Sequence, residues 1–517
     1  MTLSTIVGSW AYREPQLWSH LGSYVIPDAV FNSVSLLVGV SALSLVFGTS
    51  FAILTCFYQF PGRKIFHALL ILPLSLPAYV TGFIFTGFFE FSGPFFSFLR
   101  EQLDIFAWVP IRSYPGLVFV MSASLYPYVY LMACQGFRSQ GQQAMECGRM
   151  LGMKPRSLIF RLVIPLSFPW MTGGALIVAM ECLSDFGTVS VFSYDTLTTA
   201  IYKSWFGFFS KAVAGQVSTV LLVFVLLLIW LQGRNKTRQY TATSHEVKGF
   251  QRIKLTGIKA LGTVVILILF LSLVFLLPVY QLASWSLQSS RFNFLLPESL
   301  GATLGIGLTG AGICLLVGFS LTISNRLLGY VGREAWWVRT ALVGYSIPGN
   351  ILAVGVFIPL AWLDQIFFWP VFKSDSLVLG SSIFALLTGL TIRFSGIGYS
   401  SFSGGMKRIS GDLTDIGNVH GVGPGKMVFS VYAPMLNHAA VTGFILILVD
   451  IMKEMPLTLM LRPMGWDTLS IRIFELTSEG EWERAAWPAL WLVFAGMVPL
   501  LILIFQEKKH ERDFENR

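Results

Sequence analysis

The chain has 517 residues, of which 54% are hydrophobic and 12% charged, and its formal net charge is +9. Soluble domains usually contain about 25% charged residues, so this composition argues against a soluble globular protein. The apolar residues lie in blocks of about 20 or more, long enough to cross a bilayer as helices. Because the apolar–polar alternation of membrane strands is absent, the sequence predicts an all-α polytopic membrane protein.

Eleven apolar segments are long enough to span the membrane. In chain order they lie near 30–57, 67–91, 114–136, 164–187, 212–232, 258–284, 301–325, 339–362, 377–400, 432–455 and 486–506. Several contain proline, which membrane helices tolerate where neighbouring groups satisfy the freed backbone. An odd number of spans predicts that the two chain ends lie on opposite sides of the membrane.

The basic residues predict which side each loop faces. One set of loops carries most of the 36 Lys and Arg, namely 58–66, 137–163, 233–259, 326–339, 393–431 and 507–517. Basic residues concentrate in cytoplasmic loops, so we expect the N-terminus outside and the C-terminus in the cytoplasm. The positive charge then reflects topology, and we expect no nucleic-acid partner because no basic domain exists to bind one.

Chemistry-bearing motifs are missing from the sequence. The first 20 residues lack the basic region and apolar core of a secretory signal. The five cysteines lie in or beside apolar segments without metal-ligand spacing, and neither H-E-x-x-H nor G-x-S-x-G occurs. We therefore expect no catalytic residue, no cofactor and no tightly bound metal in this chain.

A glycine-rich stretch at 415–434 invites a phosphate-loop interpretation. However, Gly425-Lys426 is followed by Met427, and His420 stands where the first glycine of such a loop belongs. No hydroxyl is available for Mg²⁺, which disfavours a nucleotide site.

The stretch is instead one copy of an internal repeat. Residues 136–165 align with 405–434 without a gap at a constant offset of 269. The matched pairs are Gly136/Gly405, Arg138/Lys407, Glu146/Asp415, Gly148/Gly417, Gly152/Gly421, Pro155/Pro424, Phe160/Phe429, Pro165/Pro434, Gly174/Gly443, Glu181/Asp450 and Asp185/Glu454. A parallel repeat of half the chain predicts two tandem domains related by a pseudo-twofold axis along the membrane normal.

Each copy of the repeat is predicted to form a helix, a turn and a second helix. Gly152 and Gly421 occupy the position where a left-handed residue ends a helix. Pro155 and Pro424 then fit the first turn of the next helix.

These residues resemble the EAA loop of the permease subunits of binding-protein-dependent ABC importers. Each copy has an acid, a glycine six residues later and a proline thirteen residues after that: Glu146, Gly152 and Pro165, then Asp415, Gly421 and Pro434. Within this superfamily the chain resembles the fused ferric-iron permeases, on the stretches 181–207, 345–360 and 449–476. It departs from the family pattern in its triplets, Glu146-Cys147-Gly148 and Asp415-Ile416-Gly417, and in showing five rather than six helices in its first half.

The resemblance implies the following organisation. A first permease domain covers 1–240 with its EAA loop at 137–165, a cytoplasmic linker covers 241–257, and a second permease domain covers 258–517 with its loop at 405–434. The protein is expected to be a multi-pass transporter of the bacterial inner membrane, not an enzyme. Its expected partners are two copies of a cytoplasmic ATPase subunit, a periplasmic binding protein and the lipid bilayer. The expected ATPase-coupling residues are Glu146, Gly148, Gly152, Asp415, Gly417 and Gly421.

Four acidic residues in the spans are candidates for the translocation path: Glu181, Asp185, Asp450 and Glu454. A charge facing lipid costs about 2.5–3.5 kcal/mol, so such residues usually face a bundle interior or water. They could form a transient oxygen lining for a hard trivalent cation, or a structural ion pair involving Lys453.

Other functions remain open from the sequence. Within the importers, thiamine, polyamine or anion permeases are alternatives to an iron permease. A secondary transporter would also show a parallel repeat and intramembrane carboxylates, but it would not need matched EAA loops.

Overall fold

The computed structural model describes residues 2–12, 14–105, 109–139, 148, 150–239, 252–288, 296–328, 334–368 and 378–515. In these ranges the regular structure is almost entirely helical. The strands found there are two short segments, β1 (Tyr58–Gln59) and β2 (Ile253–Lys254), which pair in parallel. The prediction of an all-α polytopic protein is confirmed.

The described helices of the first half follow one another along the chain. They are α1 (Thr2–Gly8), α2 (Pro15–His20), α3 (Ile26–Phe57), α4 (Arg63–Leu69), α5 (Ala78–Phe89), α6 (Pro94–Leu103), α7 (Tyr114–Ser139), α8 (Pro155–Leu158), α9 (Ile164–Ser184), α10 (Gly187–Val191), α11 (Leu197–Tyr202) and α12 (Lys211–Gln239). A π-helical turn, Ile159–Val163, connects α8 to α9.

The second half repeats this order after one additional long helical segment. Its described helices are α13 (Gly257–Leu271), α14 (Leu277–Gln288), α15 (Leu296–Leu327), α16 (Trp336–Ser346), α17 (Gly349–Leu363), α18 (Ile383–Met406), α19 (Asp412–Val419), α20 (Pro424–Met427), α21 (Ala433–Met435), α22 (Asn437–Lys453), α23 (Pro456–Leu461), α24 (Leu469–Ser478) and α25 (Trp482–Glu515). A π-helical turn, Val428–Tyr432, again follows the short helix α20.

Among the described residues, ten helical segments are long and apolar enough to cross a membrane. A bent pair, Pro424–Met435 with Asn437–Lys453, makes an eleventh if it is counted as one span. Each of the eleven predicted segments overlaps one of these. Five of them lie in the first half and six in the second, which agrees with the count made from the sequence.

Two predicted spans are interrupted at equivalent points. Leu76 (φ −86°, ψ 114°) and Ile347 (φ −87°, ψ 127°) are extended, and each is followed by a proline. A residue before proline is disfavoured in the helical region, so the helix stops there. The chain becomes helical again in α5, after Pro77, and in α17, after Pro348.

The two halves share a close helix crossing. A methyl group placed on Gly48 of α3 would lie 2.8 Å from the backbone N of Tyr130 in α7. A methyl group on Gly318 of α15 would lie 2.6 Å from the backbone N of Tyr399 in α18. Both contacts depend on the absent side chain, and their equivalence supports the predicted pseudo-twofold relation.

Each half also packs against the other through equivalent helices. The helix α12 contacts α17, and α25 contacts α5. The seven-residue α1 lies against α12 and α17, and Thr5 Oγ1 donates to the Gly355 carbonyl at 3.3 Å. The helix α14 lies in the same way against α25 and α5. In the first half, α1 therefore occupies the place that α14 occupies in the second.

The sidedness and the domain limits stay predictions. Pairing of β1 with β2 brings together residues from two loops that are both predicted to be cytoplasmic, 58–66 and 233–259. Most of the predicted linker, 241–257, lies outside the described residues.

Candidate coupling elbows and translocation cavity

The second EAA-like segment forms a helix–turn–helix elbow. Gly421 has a positive φ of +66°, and the Val422 backbone N–H donates to the Gly417 carbonyl at 2.9 Å. These features close α19, and α20 begins at Pro424. The prediction of a left-handed glycine at this position is confirmed.

The first copy has the same geometry where it is described. Gly152 has a φ of +73°, and the Met153 backbone N–H donates to the Gly148 carbonyl at 3.0 Å. Gly148 lies against the Leu158 side chain, as Gly417 lies against Met427 in the second copy. Glu146 lies outside the described residues, so the structure says nothing of its contacts.

Exposed apolar side chains surround both elbows at matched positions. Met150 is 90% exposed and Val419, its counterpart at the same offset of 269, is 84% exposed. Phe160 and Phe429 form a second matched pair, at 57% and 77% exposure. Asp415 is exposed as well. Exposed apolar side chains beside polar ones are typical of a surface that binds a partner. Met150 and Val419 were not predicted from the sequence, although two apolar residues at equivalent positions of a polar loop were a usable signal.

The carboxylate of Asp185 begins a short helix. It accepts hydrogen bonds from the Thr188 backbone N–H at 2.8 Å and the Thr188 hydroxyl at 2.7 Å. A further bond comes from the Val189 backbone N–H at 3.4 Å. Asp185 therefore caps the free N–H groups of α10, which is a structural role for this residue.

Glu454 does the same in the second half. It accepts hydrogen bonds from the backbone N–H groups of Leu457, at 3.1 and 3.2 Å, and Thr458, at 3.4 Å, at the start of α23. Its Oε1 also lies 3.5 Å from Nη1 of Arg393. Glu454 therefore makes a structural ion pair, with Arg393 in place of the expected Lys453, while a role toward cargo stays a prediction for both carboxylates.

The tripeptide Asp-Thr-Leu occurs at equivalent places in the two halves, 195–197 and 467–469, and attaches equivalent helices to each other. The Leu197 backbone N–H donates to the Ser33 hydroxyl at 3.0 Å. The Leu469 backbone N–H donates to the Thr303 hydroxyl at 2.8 Å. Through these bonds α11 is attached to α3, and α24 to α15.

A cavity of about 280 Å³ lies between the two halves. Its lining includes all four candidate acids, two cations and three tyrosines: Glu181, Asp185, Asp450, Glu454, Arg393, Lys453, Tyr79, Tyr128 and Tyr345. The four acids selected from the sequence thus line one cavity, and their part in translocation stays a prediction. Within the described residues, no group of three His, Cys, Asp or Glu side chains is gathered closely enough to hold a metal ion.

Glu181 and Asp450, on the long helices α9 and α22, make fewer hydrogen bonds within the described residues than the helix-capping Asp185 and Glu454. Glu181 Oε1 lies 3.5 Å from the Tyr345 hydroxyl, which can donate to it. Asp450 lies within electrostatic reach of Arg393 and of Lys453, three residues further along α22. These two carboxylates occupy equivalent positions of the repeat and face the same space.

The cavity cations have direct partners on the protein. Arg393 Nη1 lies 3.4 Å from the Ile347 carbonyl in addition to its contact with Glu454. Lys453 Nζ donates to the Leu74 carbonyl of the other half at 3.1 Å. Arg393 was not among the residues selected from the sequence, although a lone arginine inside the predicted span 377–400 was a signal for an interior site.

Comparisons with known proteins agree with this architecture. Residues 44–238 match the family described as "Binding-protein-dependent transport system inner membrane component". Over 487 residues, 92% of this chain and 89% of the relative, the chain is 24% identical to the Fe(3+)-transport system permease protein FbpB 2 of Haemophilus influenzae. Over 262 residues, 47% of this chain, it is 27% identical to a putative 2-aminoethylphosphonate transport system permease protein, PhnV, of Salmonella typhi, of which 93% is covered. Over 232 residues, 42% of this chain, it is 26% identical to the sulfate transport system permease protein CysW of Escherichia coli, of which 78% is covered.

Proposed function

Because this chain belongs to the binding-protein-dependent transport permeases, with two permease halves on one polypeptide, we propose that it conducts ferric iron across the inner membrane into the cytoplasm. The iron would be delivered by a periplasmic binding protein. A separate ATPase, present in two copies, would supply the energy.

The lining of the interdomain cavity is the observation that carries the cargo proposal. Four carboxylates and three tyrosines line this space together with two basic side chains, Arg393 and Lys453. Oxygen ligands suit hard cations such as Fe³⁺, and the excess of acids over bases attracts positive charge. The ligands are spread around the wall rather than gathered, which suits brief contact with a passing ion. The relative matched over most of both chains is also a ferric-iron permease.

The two elbows support the proposal of two ATPase copies. Each elbow has a left-handed glycine and an exposed apolar residue at the same position of the repeat, Met150 in one and Val419 in the other. Two equivalent surfaces fit two identical subunits. A rigid elbow would transmit ATPase closure to α9 and α22 as a movement of whole helices.

Uptake of radioactive ferric iron tests the proposal. Cells that contain the chain with its ATPase and binding protein should take up iron under iron limitation, and cells lacking the chain should not. The double variant Glu181→Gln/Asp450→Asn should reduce uptake at least tenfold. Met464→Gln should leave it unchanged, because Met464 is fully exposed and does not line the cavity. Equal uptake by cells with and without the chain would refute the proposal.

An oxyanion permease is the second candidate, since Arg393 and Lys453 line the cavity and the phosphonate and sulfate relatives match 47% and 42% of the chain. Both basic side chains already have partners on the protein, Arg393 with Glu454 and Lys453 with the Leu74 carbonyl. These contacts favour a cationic cargo over an anionic one. Uptake of radioactive sulfate or aminoethylphosphonate, in place of iron, would establish this alternative.

A further inference from the structure

The cations of the cavity break its twofold symmetry. The four acids are arranged as matched pairs, but both Arg393 and Lys453 belong to the second half. At the offset of 269, the first half has Ser124 and Ser184 in their places, and both serines also line the cavity. The positive charge is thus an addition to one half and not a feature of the repeat.

Arg393 is held by specific contacts within the second half. Its side chain is 12% exposed, and its guanidinium contacts the Glu454 carboxylate and the Ile347 carbonyl. A methyl group on Gly349 would meet the Glu454 carboxylate first, and it would lie 2.9 Å from Arg393 Nη1. The equivalent residue after the proline of the first half is Ala78. The glycine that leaves room for the Glu454–Arg393 pair therefore occurs only in the half that has the arginine.

Lys453 is accommodated in the same manner. A methyl group on Gly496 of α25 would lie 2.6 Å from the Ser75 carbonyl oxygen and 2.7 Å from Lys453 Nζ. Counted from the first residues of α12 and α25, the equivalent position of the first half is Val225. Each of the two basic side chains thus packs against a glycine that leaves room for it and for one neighbouring group.

We propose that Arg393 and Lys453 are tethered counter-cations that occupy the acidic cavity when no cargo is present, and that a passing cation displaces Arg393 from Glu454. This rests on the proposed cation cargo. The tethered charges keep the buried carboxylates neutralised between transport cycles. They also lower the affinity of the cavity for cargo by competing with it, so that the ion leaves after it has entered. Arg393 acts here as a specificity-determining residue, because a cargo ion must carry enough charge to replace it.

Terbium binding tests the competition directly. Tb³⁺ is a hard trivalent cation whose luminescence is sensitised by nearby tyrosines, and Tyr79, Tyr128 and Tyr345 line the cavity. The purified full chain in detergent is titrated with Tb³⁺ alone. We expect Arg393→Ser to bind Tb³⁺ about tenfold more tightly than the parent, because one repelling charge has been removed. We expect Glu181→Gln/Asp450→Asn to lose most of the signal, which separates cavity binding from binding to surface carboxylates.

Relocating the arginine is the matched control. The variant Ala78→Gly/Ser124→Arg/Arg393→Ser moves the charge to the equivalent place in the first half, with a glycine beside it. Its Tb³⁺ affinity should return to within about threefold of the parent, as should that of Arg393→Lys, which keeps the charge in place. A residue needed only for helix packing would not be replaced in this way. Unchanged affinity in Arg393→Ser, or failure of both charged variants to restore the parent affinity, would overturn the proposal. If Arg393→Ser does not fold, Lys453→Ser is titrated instead. A Tb³⁺ affinity of Lys453→Ser equal to that of the parent would likewise overturn the proposal.

The outcome is separable from the cargo proposal. If the parent imports no iron but the terbium shift and its reversal occur, the tethered cations stand and the cargo is another cation. If iron is imported and Arg393→Ser binds Tb³⁺ like the parent, the cargo proposal stands and the counter-cation role is wrong.

Discussion

The Glu454 carboxylate contacts the Arg393 guanidinium at 3.5 Å while it caps α23, whereas Asp185, its counterpart, caps α10 and makes no ion pair within the described part of the chain. The two halves thus use the same acid for the same local task, and only one of the two acids also pairs with an arginine. Their removal should have unequal effects on stability.

We predict that Asp185→Ala lowers the free energy of unfolding by about 1–2 kcal/mol, the usual cost of a lost helix cap. Glu454→Ala should lower it by about 3–5 kcal/mol, because a mostly buried arginine then also loses its partner. Thermal unfolding in detergent measures the order of the two variants. Adding Arg393→Ser to Glu454→Ala should recover part of the loss, and equal midpoints for Asp185→Ala and Glu454→Ala would contradict the assignment.

The crossing of α15 and α18 gives a second stability prediction. Gly318→Ala should destabilise the protein by about 1–3 kcal/mol, since the added methyl would meet the backbone of α18 at 2.5–2.8 Å. Gly312 lies on the same helix with open space beside it. Gly312→Ala should therefore leave the melting temperature unchanged or raise it slightly, because alanine favours helix. The interpretation fails if both variants melt alike.

Much of the fold could be predicted from the sequence, because apolar length specifies a membrane span directly. The eleven segments, the repeat and the left-handed glycines at Gly152 and Gly421 all follow from local chemistry. The interruptions at Pro77 and Pro348 were less visible, because proline within an apolar block permits either a continuous or a broken helix.

The cavity could be predicted only in part. A matched pair such as Glu181 and Asp450 is visible because the repeat doubles the signal. Arg393 occurs in one half only, and its partner Glu454 lies 61 residues away in the chain, so no periodicity connects them. The capping bonds of Asp185 depend on where α10 begins, which apolar length does not specify.

The elbow glycines provide a prediction about coupling. Gly421 has open space around it, so a side chain there is disfavoured by its positive φ and not by a clash. We expect Gly421→Val to reduce iron uptake at least fivefold, because a β-branched residue is strained in this conformation. Gly421→Asn should retain most uptake, since asparagine adopts left-handed angles more readily. The amount of protein inserted in the membrane, measured by surface labelling, should be equal in the two variants. Full uptake by Gly421→Val would show that the turn is not needed.

The exposed apolar residues of the elbows allow the number of bound ATPase subunits to be tested. If each elbow holds one subunit, Met150→Glu or Val419→Glu alone should leave a complex with a single ATPase, and the double variant should bind none. Native mass spectrometry of the purified complex reads the stoichiometry directly. A charge placed on a buried apolar contact must be desolvated without a partner, which is strongly unfavourable. Met464→Glu provides the control, because Met464 is fully exposed in a loop predicted to face outside. Two ATPase copies bound to the double variant would show that these side chains lie outside the interface.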